Sequence, residues 1–144
     1  MKYTKVRKVK SPKRGHDTDA GIDFFIPNDF SDKEMEPGES LLIPSGIKVI
    51  IPEGHAGIFF NKSSIGTKGV IIGAQVIDSD YRGEVHIDLH NVGDEAVNIL
   101  AGSKITQLII LPIAGLTPEE INNEVFEADV TKRGVGGFGS TGDK

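Results

Sequence analysis

The sequence predicts an all-β protein, and three observations carry that prediction. Short runs rich in Val, Ile and Phe are separated by Pro and Gly. No window of about 15 residues holds the 3.6-residue apolar period of a helix. Turn signals recur every 8 to 12 residues or so, the spacing of a sandwich or barrel.

Taken in order, the runs predict strands at Tyr3–Val9, Ile22–Phe25, Ser40–Ile43, Ile47–Ile51, His55–Phe60 and Ala74–Ile77. Glu84–His90, Val97–Leu100, Lys104–Leu111 and Glu124–Glu127 follow. Between them lie Pro37-Gly38, Ser45-Gly46, Pro52-Glu53-Gly54, Arg82-Gly83, Val92-Gly93-Asp94 and Ala101-Gly102, residue pairs suited to tight turns. Val85, Ile87 and Leu89 alternate with His86, Asp88 and His90, so one face of that strand is buried. Two segments read as helical turns. Ser63–Lys68 opens with a capping hydroxyl, Ser63 or Ser64. Thr117-Pro118-Glu119-Glu120 pairs a capping Thr with Pro at the first helical position.

Composition narrows the function classes. A chain of 144 residues with 38% hydrophobic and 26% charged residues is one globular domain with a core of its own. It has no cysteine, which excludes disulfides, cysteine nucleophiles and thiolate metal sites. The longest apolar run, Leu108–Leu111, is too short to span a bilayer. No signal-peptide core stands at the N-terminus, so a soluble, cytoplasmic protein with no membrane partner is expected. Seven basic and no acidic residues fall within Met1–Arg14, leaving nine basic against 21 acidic residues beyond it. Such an arm binds polyanions or guards an exposed edge strand; the edge strand is the expectation, and a nucleic-acid partner is not. Glycine is over-represented, eighteen of 144 residues against a usual share of about 7%. That excess marks tight turns or a ligand site lined by backbone.

Beyond Thr131 the composition turns to Gly, Ser, Thr and charge, too polar to fold alone. The chain is therefore divided into a β domain over residues 1–131 and a flexible Gly-rich arm over 132–144. Within the arm, Gly134-x-Gly136-x-x-Gly139 lacks the helix that a dinucleotide fingerprint requires, and Ser140 stands where a P-loop needs lysine. Exposed amides, Arg133 and the hydroxyls of Ser140 and Thr141 still suit phosphate oxygens. Phe138 offers an aromatic face to a base. A plain solubilising tail is the alternative.

Asp78-Ser79-Asp80-Tyr81-Arg82-Gly83 opens like a calcium loop but carries Arg82 at the fifth position and Leu89 at the twelfth, which removes the required ligands. Two acids beside Tyr and Arg at a strand end suit a general base with orienting groups, or simply an acidic turn. Lys62-Ser63-Ser64 at a helix start suits an anion or a cap. His86, Asp88 and His90 share a strand face but lack further zinc ligands in sequence, so a solvated face is the simpler reading.

Together these segments resemble the trimeric dUTPase family, the dUTP nucleotidohydrolases, over nearly the whole chain. Five motifs stand in the family's order: Ala20-Gly21-Ile22-Asp23-Phe24, Lys62 to Gly69, Gly73 to Glu84, Gly102 to Leu108, and Arg133 to Gly142. The resemblance implies a jelly-roll-like β-barrel or sandwich assembled as a homotrimer. It implies hydrolysis of dUTP to dUMP and pyrophosphate with Mg²⁺ on the triphosphate. On the matching positions, Asp78 is the water-activating base, and Tyr81 packs beneath the deoxyribose. The Ala74, Gln75 and Val76 backbone reads the uracil edge. Lys62, Ser63 and Ser64 stand at the phosphates, with Ser63 near the scissile bridge, and Gln107 holds phosphates or ordered water. Asp23 meets magnesium through water. Phe138 and Gly139 cover the base while Arg133, Ser140 and Thr141 close on the phosphates of a neighbouring subunit's site.

Three residues depart from the family pattern: Lys62 for Arg, Gln75 for Gly and Ser103 for Asp. A dCTP deaminase of the same fold is the nearest alternative, although deaminases carry Trp where this chain has Tyr81. A non-catalytic, nucleotide-gated trimer is the second alternative.

Overall fold

The computed structural model describes residues 1–137. The chain divides into two compact units, Met1–Ala114 and Gly115–Lys144.

The first unit is all β apart from one helical turn. Its strands are β1 (Lys2–Lys5), β2 (Ile22–Phe25), β3 (Lys33–Met35), β4 (Ser40–Ile50), β5 (His55–Asn61), β6 (Val70–Ile72), β7 (Val76–Ile77), β8 (Glu84–Asn91), β9 (Val97–Ile99) and β10 (Lys104–Pro112). The turn α1 (Ser63–Gly66) lies between β5 and β6. One sheet runs β1-β4-β8-β6, a second runs β2-β10-β5-β7, and β3 pairs with β9 as a ribbon. Neither four-stranded sheet closes on itself, so of the two expected forms the sandwich is the one present.

Alternation in β8 works as read: Val85, Ile87 and Leu89 are buried, and the polar residues between them are not. In the other sheet, Phe24 on β2 meets Phe59 on β5 edge-to-face, with centroids 5.1 Å apart. That geometry suits the ring quadrupoles. Ile26, Met35, Ile43, Ile99 and Leu108 are among the other most deeply buried side chains.

Several expected boundaries change. The Ser45-Gly46 turn does not separate two strands, because β4 runs through it from Ser40 to Ile50. Its register on β8 shifts between Pro44 and Lys48. Gly46 takes φ +76° inside that irregularity. Its carbonyl accepts from Val6 N at 2.8 Å, and its N–H donates to Glu84 Oε1 at 2.7 Å. A bulge with its spare groups satisfied bends a strand without ending it.

The N-terminal strand stops at Lys5 instead of Val9 and pairs only with β4; β1 is the exposed, lysine-bearing edge. The expected strand Ala74–Ile77 keeps only Val76–Ile77. Two strands, β3 and β6, were not expected at all.

Helix α1 spans Ser63–Gly66 and is preceded by Lys62 at the N-cap position, with no side-chain cap bond. Neither serine is the cap. In the second unit, the expected strand Glu124–Glu127 is part of helix α2 (Asn123–Ala128). Asn122 Oδ1 accepts from Val125 N at 2.9 Å, satisfying a donor left open at the helix start. Thr117–Glu120 is not helical. Pro118 disfavours helical backbone at Thr117, and the helix begins after Asn122. Among the described residues, no helix is long and apolar enough to cross a membrane.

Candidate active site

Two constellations lie in the first unit. The first gathers around Asp23. Its strand β2 lies against β10, which places Gln107 directly opposite Asp23; on the other side of β10, Gln107 lies opposite Phe60 of β5. The Asp23 side chain is only 6% exposed. Lys62 Nζ donates to Oδ1 at 2.6 Å, and Lys104 Nζ meets Oδ2 at 2.8 Å. Burial opposes ionisation of Asp23, but the two lysines outweigh it and hold the carboxyl below its ordinary value. Lys62 is thus anchored by a carboxylate immediately before Ser63 and Ser64, whose side chains are exposed.

Gln107 is seated with equal care. Its Nε2 donates to Asn61 O at 3.0 Å, while a Cβ on Gly21 would lie 2.2 Å from its Oε1. Gly21 of the first motif therefore makes room for the fourth motif's Gln107. Sequence spacing pointed to neither that contact nor the second lysine, Lys104, because both partners of each pair lie far apart in the chain.

The second constellation is the segment from Gly73 to Glu84. Phe59 N donates to Gln75 O at 2.9 Å, and β7 pairs with β5 as Gly57↔Ile77 and Ile58↔Val76. In an antiparallel ladder, bonded and unbonded pairs alternate. Gln75 belongs to a bonded pair, so the Val76 N–H and C=O face away from β5. Because β7 ends its sheet, these groups lie along an open edge. Ala74 N–H does not, since it donates to Asp88 Oδ2 at 2.9 Å. The Gln75 side chain folds back, its Nε2 donating to Ile72 O at 2.9 Å.

Asp78 follows β7 directly and is exposed. Beyond it, Tyr81 N donates to Asp78 O at 3.2 Å. Arg82 Nη1 donates to Ser79 O at 2.7 Å and to Tyr81 O at 2.9 Å, so Arg82 ties the turn. The Tyr81 hydroxyl donates to Glu84 O at 2.9 Å. A Cβ on Gly83 would lie 2.2 Å from that hydroxyl oxygen and 2.4 Å from Cζ. Gly83 is the floor on which the ring lies, a role hidden behind its reading as a turn residue.

An open cleft of about 600 Å³ connects parts of the two constellations, lined by Phe60, Asn61, Ile71, Ile72, Gln75, Gln107 and Ile109. No hydrogen bond or ion pair among the described residues joins Asp78 or Tyr81 to the Asp23 cluster. In the second unit, Arg133 is exposed and its Nε donates to Gly136 O at 2.8 Å. Phe138, Gly139, Ser140 and Thr141 lie outside the described residues.

Among the described residues, no three His, Asp or Glu side chains converge on a metal position. His86 does not join Asp88 and His90 as a ligand set; its Nδ1 bonds Glu84 O at 3.0 Å. Asp23 has both oxygens engaged by ammonium groups, which disfavours direct coordination of a dication. Each carboxylate oxygen keeps a second lone pair, so contact through a water fits this residue.

The two sheets and the ribbon define the class first, a jelly-roll-type β protein. A dUTPase family model matches residues 7–142. The deoxyuridine 5'-triphosphate nucleotidohydrolase of Escherichia phage T5 is 40% identical over 139 residues, covering 92% of each chain. That of Corynebacterium jeikeium is 34% identical over 94% of this chain and 88% of its own. A mutant dUTPase of Staphylococcus bacteriophage 80alpha, solved with dUpNHpp, matches with a TM-score of 0.81 at 30% identity, over 98% of this chain and 97% of its own. A mutant dUTPase of phage phi11 of S. aureus, whose structure details a structural Mg(II) ion, shares the fold with a TM-score of 0.75 at 24% identity, over 85% of this chain and 96% of its own. The chain belongs to the dUTPase family.

Proposed function

We propose that the protein hydrolyses dUTP to dUMP and pyrophosphate in the cytoplasm. The reading rests on family membership together with one local observation: an open-edged main chain at Val76 leads directly to Asp78 and Tyr81. The Val76 groups pair with the uracil edge. A cytosine there leaves fixed donors and acceptors unmatched, at a cost of about 1–3 kcal/mol each. Tyr81 lies under the deoxyribose and blocks a 2′-hydroxyl, which an apolar surface alone rejects poorly.

Asp78 orients a water and takes its proton as the oxygen bonds to the α-phosphorus. The bond from that phosphorus to the bridging oxygen breaks, and pyrophosphate leaves with the electron pair. Lys62, Ser63, Ser64 and Gln107 hold the phosphates. Mg²⁺ bound with the triphosphate would supply charge neutralisation, and Asp23 would hold it through water.

Among the described residues no hydrogen bond or ion pair links the Asp23 and Asp78 constellations, and the open cleft they share beside Gln107 exposes Phe60 and Ile71, at 38% and 39%. Both features support a homotrimer whose sites are completed by neighbouring subunits. The family resemblance assigns Arg133, Phe138, Gly139, Ser140 and Thr141 to a neighbour's site, where excluding water favours the reaction.

The test is pyrophosphate release from dUTP, dCTP, dTTP and UTP, with Mg²⁺ and with EDTA, for the wild-type chain and Asp78→Asn. Metal-dependent release from dUTP alone is expected, with the variant slower by roughly 10²–10⁴ while still binding nucleotide. Ammonia release from dCTP establishes the deaminase instead. Binding of dUTP without turnover establishes the nucleotide-gated trimer, and full activity in Asp78→Asn removes Asp78 from the chemistry.

A further inference from the structure

We infer that Asp88 is a positioning residue for base recognition, its carboxylate braced by His90 and Ser40 to fix the main chain from which β7 springs. The inference rests on the proposed base-reading role of that strand.

Residues 73–75 carry the chain from one sheet to the other. Strand β6 pairs with β8 up to Ile72↔Leu89, and Gly73 N extends that ladder by donating to Asp88 O at 2.9 Å. Two residues later, Gln75 O accepts from Phe59 N and the chain has joined β5. Only Ala74 lies between these two ladder bonds. Its N–H is held by Asp88 Oδ2 at 2.9 Å, so Asp88 grips the crossover with both backbone and side chain.

The carboxylate is itself held. Its Oδ1 lies 3.2 Å from His90 Nε2, and His90 Nδ1 lies 2.7 Å from Ser40 Oγ. Both ring nitrogens are engaged, so the imidazole has one orientation. Strand register places Ser40 opposite His90, and the brace therefore runs across β4 and β8 to the crossover. Gly73 completes the fit: a Cβ there would lie 2.3 Å from Asp88 Oδ2 and 2.4 Å from His90 Nε2. Burial opposes the Asp88 charge, yet the Ala74 N–H and His90 keep its carboxyl below the ordinary value. An ionised acceptor makes the stronger bond to an amide.

This arrangement replaces the solvated face expected for Asp88 and His90. It also accounts for the commitment of Ala74 N–H: one amide is given up so that the Val76 groups, two residues on, are presented at a fixed angle. Small displacements of positioning groups are costly in recognition.

The experiment compares wild type, Asp88→Ala and Asp88→Asn in the full chain. Amide hydrogen exchange at Ala74 is measured beside KM and kcat for dUTP. In Asp88→Ala, Ala74 exchange is expected to accelerate and KM to rise about tenfold, the scale of a hydrogen bond to a charged group. The kcat stays within about twofold. Asn retains a carbonyl acceptor, so Asp88→Asn recovers most of both losses. Unchanged Ala74 exchange in Asp88→Ala overturns the brace. Faster exchange with unchanged KM overturns its link to recognition, and equal losses in the Ala variant and the isosteric Asn variant overturn the acceptor role assigned to Asp88. A wild-type chain that leaves dUTP intact overturns the proposed function, while the exchange measurement still judges the brace.

Discussion

Replacing Gly83 by Ala tests the placement of Tyr81 with a single methyl group. The Gly83 backbone lies outside the positive-φ region, unlike Gly46 or Gly69, so alanine meets no backbone penalty. The cost comes from the ring: the added carbon would lie 2.2 Å from the Tyr81 hydroxyl oxygen, far inside van der Waals contact. The ring must retreat by roughly 1 Å, which stretches its 2.9 Å bond to Glu84 O beyond useful length. Losing one neutral hydrogen bond costs about 1 kcal/mol. Tyr81 is already 44% exposed, so little apolar burial is lost with it. For a domain of this size the melting temperature falls by about 3–5 °C.

Function responds far more strongly. With Tyr81 in its proposed place under the sugar, the ring's retreat raises KM for dUTP by about tenfold, and the preference for dUTP over UTP falls by an order of magnitude or more, since apolar contact discriminates poorly against an added hydroxyl. Pyrophosphate release from both nucleotides and a calorimetric melt measure the two effects. Tyr81→Phe is the control, losing the bond to Glu84 but keeping the ring. An unchanged dUTP-to-UTP ratio in Gly83→Ala refutes the assignment of Tyr81.

Two further outcomes follow from the Asp23 cluster. Lys62→Arg keeps or raises turnover, because a guanidinium fork can hold Asp23 with one nitrogen and a phosphate with another; a tenfold loss shows that Lys62 is fitted to its own surroundings. Asp23→Asn lowers stability near neutral pH by about 2 kcal/mol, less than for a fully buried pair because Lys104 is 44% exposed and rehydrates. The Asp23 carboxyl is depressed from 3.8, so the unfolded chain binds its proton first and the stabilisation is complete above that value. It is lost as pH falls through the lower, folded value. Denaturant melts of both proteins therefore converge as pH falls through that lower, folded value, and a gap that stays constant with pH excludes the carboxylate as its source.

Local pattern made much of the fold legible. The alternation of β8 and the Pro- and Gly-bounded runs of β2, β5 and β10 announce strands because their side chains report burial directly. Strand β3 could not be read so, since Lys33-Glu34-Met35 has no period and owes its state to pairing with β9. Val70-Ile71-Ile72 was too short a run to separate from the helix before it. Val125 and Phe126 mimic a strand, but Asn122 decides the matter through a cap bond whose sequence signal is one residue. In the candidate site, the motifs located Asp23, Lys62, Gln107, Asp78 and Tyr81. The ties that aim them, Lys104 to Asp23 or Asp88 to Ala74, link residues with no fixed separation in sequence, and only the folded register brings them together.

The pairing of β2 with β10 carries a consequence for synthesis. Asp23 leaves the ribosome early, whereas Lys104 and the strand that covers Phe24 are about 80 residues behind it. At 5–20 residues per second, roughly 4–16 s separate them. Throughout that interval the nascent chain displays an uncovered aromatic strand and a carboxylate without one of its two ammonium partners. The Asp23 sheet and the Lys62 end of the candidate site can therefore close only when translation has reached β10, which makes this half of the molecule the part most dependent on protection before release.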